Sequence, residues 1–116
     1  MNPKAIIFLV IVGIIVLIVL IKVNKIKKYG KYTVAEVLSY QKDYKGSTLT
    51  IEFYFGGRKF VTKENAHGKQ GTYIFIKVLP ANPQNNVLVY GDKFVPDCIL
   101  SRPIPDSGWN EIPKCQ

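Results

Sequence analysis

The chain has 116 residues, 47% of them hydrophobic, with 16 lysine and arginine residues, 8 aspartate and glutamate residues, one histidine and two cysteines. This length allows one small domain, and the composition excludes a repeat protein, a collagen-like chain and a disulfide-dense secreted module. Positions 1–31 hold six of the basic residues and no acidic residue, so the net charge of +8 describes mainly the N-terminal segment. A basic face for nucleic acid on the folded part is therefore not expected.

A continuous apolar run, residues 5–21, follows a short N-terminal tail, residues 1–4. As a helix this run would rise about 25 Å, at the short end of what spans a hydrocarbon core, and flanking lysines can lengthen the span. A cleaved signal peptide is the alternative, but its apolar region is usually shorter and ends in small residues. Residues 22–28 contain no such cleavage site. We therefore predict an uncleaved, single-pass transmembrane helix.

Lysines dominate the segment after this run, residues 22–31, which we predict to be a basic juxtamembrane linker. They are Lys22, Lys25, Lys27, Lys28 and Lys31. Because the N-terminal flank carries only Lys4 and the free amine, the positive-inside rule favours a cytoplasmic C-terminal domain, with a periplasmic domain as the alternative. The five lysines could also bind anionic membrane lipid at about 1 kcal/mol each, although fixing the topology is the simpler explanation.

Alternating apolar and polar residues predict a small β-domain over residues 32–91. The predicted strands are 32–40, 49–55, 58–63, 73–79 and 87–90. Gly56 and Gly57 supply a two-residue hairpin turn, and the strand at 73–79 is apolar on both faces, which predicts a central position. Five short strands without helical periodicity predict an antiparallel sheet curled into a barrel.

The C-terminal tail, residues 92–116, contains four prolines. Proline excludes a regular helix or a central strand, so we expect this Pro-rich tail to run extended along the barrel and cover an open edge. Its two cysteines, Cys98 and Cys115, could form a disulfide worth about 3 kcal/mol in the periplasm. In the cytoplasm they would be thiols, which the topology argument favours.

No residue pattern points to catalysis. His67 is the only histidine and lies in a glycine-flanked loop, no serine lies in a nucleophile-elbow context, and the carboxylates are scattered. His67, Cys98 and Cys115 lack the spacing of metal ligands, and the paired glycines are explained by turns. We therefore predict a protein that is not an enzyme, with no metal, no cofactor and no small-molecule substrate.

One tyrosine, Tyr54, is predicted on the face of its strand opposite the apolar residues. With Tyr32, Tyr40 and Tyr44 it could form an aromatic binding face, although an ordinary surface tyrosine is the simpler explanation.

Several stretches together resemble a family of small uncharacterised bacterial membrane proteins. They are the apolar N-terminus, KIKKYGKYT at 25–33, the glycine hairpin, GTYIFIKVLPANP at 71–83, VPDCI at 95–99 and GWNEIP at 108–113. This resemblance implies a single-pass protein of the bacterial inner membrane with a small β-domain, and it supplies no catalytic residues.

The leading hypothesis is a non-enzymatic, membrane-anchored β-module that binds another protein at the inner-membrane surface. The alternative is a membrane-anchored immunity protein that neutralises a toxin acting at the membrane or in the periplasm. The predicted partner-binding residues lie in the hairpin tip, the following loop and the tail: Gly57, Arg58, Glu64, His67, Lys69 and Trp109.

Overall fold

The computed structural model describes residues 2–115, except for the side chains of residues 91–93, and in that range it has two helices and five strands. Helix α1 is Pro3–Tyr29, and the one-turn helix α2 is Asp97–Leu100. Strands β1 to β5 are Lys31–Asp43, Gly46–Phe55, Arg58–Glu64, Tyr73–Val78 and Val87–Phe94.

Helix α1 begins at a capped N-terminus. The Asn2 side-chain oxygen accepts a hydrogen bond from the Lys4 backbone N–H at 3.0 Å, and Pro3 occupies the first helical position. The helix is long and apolar enough to span a membrane, with a mean hydropathy of 3.5 over 18 residues, none of them buried. The helix does not stop at the end of the apolar run, because residues 22–29, predicted as part of a linker, continue it. The first glycine after the apolar run is Gly30, and the helix ends there.

The five strands described form one antiparallel sheet in the order β3-β2-β1-β4-β5, curled into a half-barrel. This confirms the predicted fold class. Gly56 and Gly57, with φ of 62° and 76°, make the predicted hairpin turn. The pairing of β1 shifts register between Val37 and Ser39, an irregularity of the kind that bends a strand and helps the sheet to curl.

Each face of the sheet carries its own apolar cluster. The larger cluster, which we call the inner cluster, is Ala35, Val37, Leu49, Ile51, Phe53, Phe55, Ile74, Ile76 and Val78. The outer cluster on the opposite face is Val34, Phe75, Val95 and Ile99. Residues 74–78 of β4 are all buried, which confirms a strand enclosed on both sides.

The C-terminal tail covers the outer face of the sheet and also pairs with the open backbone edge at the start of β1, ahead of the β1–β2 pairing. Leu100, Trp109 and Ile112 pack against the outer cluster, and Trp109 exchanges two backbone hydrogen bonds of 2.8 Å with Tyr32. The tail also forms α2, whereas an extended path was predicted. Burial of the apolar residues Val34 and Phe75 explains why most of the tail lies on the outer face.

Candidate functional site

The end of α1 is fixed to the β-domain by several contacts. Only Gly30 separates the helix from β1, and Ile26, in the last turns of the helix, is 1% exposed. The Lys77 ammonium donates a hydrogen bond of 2.6 Å to the Lys27 backbone carbonyl and lies 4.7 Å from the centre of the Tyr32 ring. The domain therefore follows the orientation of the helix and stays close to the end of its apolar run.

A polar cavity of about 390 Å³ joins the helix to the two edge strands of the sheet. We call it the edge cavity. It is lined by Lys22 from α1, the second half of β3, the turn before β5 and the first residue of β5: Val61, Thr62, Lys63, Glu64, Gln84, Asn85 and Val87. Lys22 follows directly on the apolar run that ends at Ile21. The edge cavity therefore lies at the level where the helix leaves its apolar run.

Burial in the edge cavity affects two polar groups, the carboxyl of Glu64 and the hydroxyl of Thr62. Burial raises the pKa of the Glu64 carboxyl, while the nearby Thr62 hydroxyl and the charge of Lys22 act in the opposite direction. Thr62 is 8% exposed, yet its hydroxyl oxygen makes no hydrogen bond of normal geometry with any residue that the structure describes. A buried hydroxyl without a partner is costly, and a ligand can supply the missing partner.

A second cavity, of about 420 Å³, opens on the outer face of the sheet. We call it the outer groove. It is lined by carboxylates, tyrosines and apolar residues, of which Leu100 and Ile104 belong to the tail. The lining residues are Val34, Glu36, Glu52, Phe53, Tyr54, Tyr73, Leu100 and Ile104. Tyr54 is 60% exposed and Tyr73 is 40% exposed. Large exposed rings beside apolar tail residues are typical of surfaces that contact another molecule.

The carboxylates of the outer groove belong to residues directly opposite each other on neighbouring strands. Glu36 of β1 pairs with Glu52 of β2, and Glu36 also pairs with Tyr73 of β4. Like charges in this relationship destabilise a sheet. Glu52 has some compensation from Lys59, whose ammonium lies 3.9 Å away in a solvent-exposed ion pair. The groove is thus an acidic, aromatic surface on a chain with a net charge of +8.

The predicted partner-binding residues do not form one site. Gly57 and Arg58 lie at the β2–β3 turn, where the Gly56 N–H donates to the Asp106 carbonyl of the tail at 2.7 Å. Glu64 is at the opposite end of β3, about 20 Å away at the usual rise of a strand, and it lines the edge cavity. Trp109 packs against the outer cluster.

The loop after β3 holds His67 and Lys69. The His67 ring nitrogen Nδ1 lies 3.0 Å from the Tyr40 hydroxyl and 3.3 Å from the Ser47 hydroxyl. These contacts anchor the loop to β1 and β2. Lys69 is exposed, and its backbone carbonyl accepts a hydrogen bond of 2.6 Å from the Thr72 hydroxyl.

The juxtamembrane lysines have different surroundings. Lys22 lines the edge cavity, Lys25 and Lys28 line a shallow surface pocket beside Tyr29, and the Lys31 ammonium bonds to the Asn110 side chain of the tail. Cys98 and Cys115 are paired as a disulfide, with Cα atoms 6.0 Å apart.

The four tyrosines considered as an aromatic face lie apart. Tyr54 lines the outer groove, Tyr32 packs beside Tyr90 at 5.7 Å between ring centres, and Tyr40 contacts His67. Tyr44, in the β1–β2 turn, is 92% exposed.

No group of three or more His, Cys, Asp or Glu residues within the described range is placed to hold a metal ion. Comparison with family models, curated proteins and solved structures found no match to this chain. The resemblance to small bacterial membrane proteins therefore stays a prediction.

The sequence did not reveal the two cavities. Glu36, Glu52 and Tyr73 come from three separate strands, so their approach depends on the pairing register. The signal available beforehand was that Glu52 and Tyr54 share the polar face of a strictly alternating strand. The edge cavity depends on α1 continuing to Tyr29, which the interpretation of residues 22–31 as a linker left out.

Proposed function

We propose that this chain is a non-enzymatic, membrane-anchored β-module that binds another protein through the outer groove. The observation that carries the proposal is the cross-strand pair Glu36–Glu52, which lines the same groove as the exposed rings of Tyr54 and Tyr73. The two carboxylates repel each other in the free protein, and a bound cation removes that repulsion. We expect the partner to present a segment with lysine or arginine next to an apolar or aromatic side chain.

The anchor supports this role because it holds the module at a surface. Helix α1 has the length and apolar character of a membrane span, and its final turns pack on the domain. A partner that acts at the same membrane would then meet the outer groove at a raised local concentration.

A photo-crosslinking amino acid placed at position 54 tests this proposal in native membranes. We expect an adduct of defined mass that is lost in the double variant Glu36→Gln/Glu52→Gln, and whose partner peptide contains lysine or arginine. The same probe at the exposed position 44 is the matched control and should give no such adduct. Equal adducts at both positions, or adducts that survive the double variant, would contradict the proposal.

For the side of the membrane, we propose the extracytoplasmic one. The lysine count favours the cytoplasm, but it compares only Lys4 and a free amine with the other flank. The pairing of Cys98 with Cys115 supports the opposite side, since disulfides persist in oxidising compartments. We give the cysteine pair more weight than the lysine count, because the path of the whole tail brings these two residues together across 17 positions of sequence.

The cysteine pair also favours the second candidate function, a membrane-anchored immunity protein. An extracytoplasmic module is positioned to meet a toxin that acts at the membrane or in the periplasm. Deletion of the gene should then be harmful only beside toxin-producing kin, and a toxin gene is expected next to it. Unchanged fitness in that competition would remove this candidate and leave the partner-binding proposal untouched.

A further inference from the structure

The edge cavity lies where the headgroups of a membrane would be. Residues 5–21 carry no charge, and the next residue, Lys22, lines the cavity. A lysine directly after a hydrophobic run places its ammonium at the interface. The residues that share the cavity with Lys22 must therefore lie at the same depth, because the Lys77–Lys27 hydrogen bond and buried Ile26 fix the domain to the helix.

One group of residues in the edge cavity suits a phosphate. Lys22 supplies an ammonium group, and Gln84 and Asn85, whose side-chain amides can donate N–H groups, line the same cavity. The Thr62 hydroxyl is buried and makes no hydrogen bond of normal geometry with any described residue, so it can donate to a phosphate oxygen. Charge-assisted hydrogen bonds of this kind are about twice as strong as neutral ones.

The same cavity contains a carboxylate, which a purely anionic ligand would avoid. Glu64, the last residue of β3, lines it two positions after Thr62. A partly buried carboxylate is stabilised by a cation that donates hydrogen bonds to it. Phosphate donors and a carboxylate acceptor together match a ligand that has one phosphate and one primary ammonium a few bonds apart.

We propose that the edge cavity binds the headgroup of a phosphoethanolamine lipid. The phosphate contacts Lys22 and the Thr62 hydroxyl, and the primary ammonium contacts the Glu64 carboxylate, since Thr62 and Glu64 share one face of β3. Phosphocholine has the same phosphate, but its quaternary ammonium has no N–H to donate to Glu64. Phosphoglycerol has no cation for Glu64 at all. The edge cavity shares no lining residue with the outer groove, so this proposal is independent of the partner-binding proposal.

Native mass spectrometry of the full chain in mild detergent tests the proposal with short-chain phosphatidylethanolamine, phosphatidylcholine and phosphatidylglycerol. We expect the ethanolamine lipid to bind on the order of tenfold more tightly than the other two, the effect of one charge-assisted hydrogen bond. Glycerophosphoethanolamine, which has no acyl chains, should bind much more weakly. If it binds as tightly as the lipid, a lipid source is excluded.

Variants separate the two halves of the site. Glu64→Gln should remove the preference for ethanolamine over choline, whereas Thr62→Val and Lys22→Met should weaken the binding of all three phospholipids alike. Glu52→Gln, in the outer groove, is the matched control and should change neither. Equal binding of the three lipids by the unmodified chain, a preference for phosphatidylglycerol, or a preference that survives Glu64→Gln would each overturn the proposal.

Discussion

The Lys77 side-chain ammonium, on β4, donates a hydrogen bond of 2.6 Å to the backbone carbonyl oxygen of Lys27, near the end of α1. The last carbonyl groups of a helix have no partner within the helix, and a cation there also interacts favourably with the helix dipole. Lys77 is only 9% exposed, so it acts as a C-terminal cap supplied by the sheet. This contact connects the apolar helix to the β-domain without a flexible linker.

Replacing Lys77 should therefore loosen this junction. We expect Lys77→Met to lower the free energy of unfolding by about 1–3 kcal/mol, because the Lys27 carbonyl loses its partner and Tyr32 loses the cation above its ring. Thermal unfolding of the full chain in detergent measures the change. Lys69→Met, at an exposed position in a loop, is the control and should shift the midpoint little.

The glycine at the junction leads to a second prediction. A Cβ on Gly30 would collide with the Ile26 carbonyl oxygen and would lie 2.9 Å from the Lys77 side chain. We expect Gly30→Ala to destabilise the chain by about 1–3 kcal/mol in the same unfolding assay, as overpacking does elsewhere. Gly13→Ala is the matched control, since no described atom beyond its own helix turns lies within 4 Å. A destabilisation shared by both variants would assign the effect to the helix and not to the junction.

How far the sequence predicts this fold depends on the range of the interactions. The Gly56–Gly57 turn and the strictly alternating strand before it are local, and they could be predicted from neighbouring residues. The end of α1 at Tyr29 was missed because lysines in residues 22–28 were interpreted as a linker, although lysine is a good helix former. The cap from Lys77 that stabilises this end comes from 50 residues away.

The candidate sites were less predictable for the same reason. Glu64 was expected to bind a partner together with Arg58, but the two residues begin and end the same extended strand. The outer groove needs the register that places Glu36 opposite Glu52, and two residues of the tail, Leu100 and Ile104. Register depends on packing across the whole sheet, so a single sequence does not reveal it.

A pH dependence of stability should follow from the position of Glu64. Burial raises the pKa of this carboxyl above its ordinary value of 4.5, so the folded chain binds the proton more tightly than the unfolded chain does. As the pH rises through 4.5 and above it, the free energy of unfolding should therefore fall while Glu64 in the folded chain loses its proton. Glu64→Gln should lack this component, and the difference between the two proteins, measured by chemical denaturation at each pH, isolates it.

A second variant checks the cause of that dependence. The charge of Lys22 lowers the pKa of Glu64 and opposes the effect of burial. Lys22→Met should therefore enlarge the loss of stability as the pH rises. A pH dependence unchanged by both Glu64→Gln and Lys22→Met would show that burial of this carboxyl does not contribute.

The cysteine pair leads to the last prediction, which also tests the side of the membrane. Removal of the bond in Cys98→Ser/Cys115→Ser should lower the free energy of unfolding by about 3 kcal/mol, because the unfolded chain gains the freedom of a loop closed across 17 positions. In native membranes a maleimide reagent should add no mass before reduction and two labels after it. Paired C-terminal fusions, to a reporter active only outside the cytoplasm and one fluorescent only inside it, should favour the outside. Two labels without reductant, together with internal fluorescence, would restore the orientation that the juxtamembrane lysines favour and move the search for a partner to the cytoplasm.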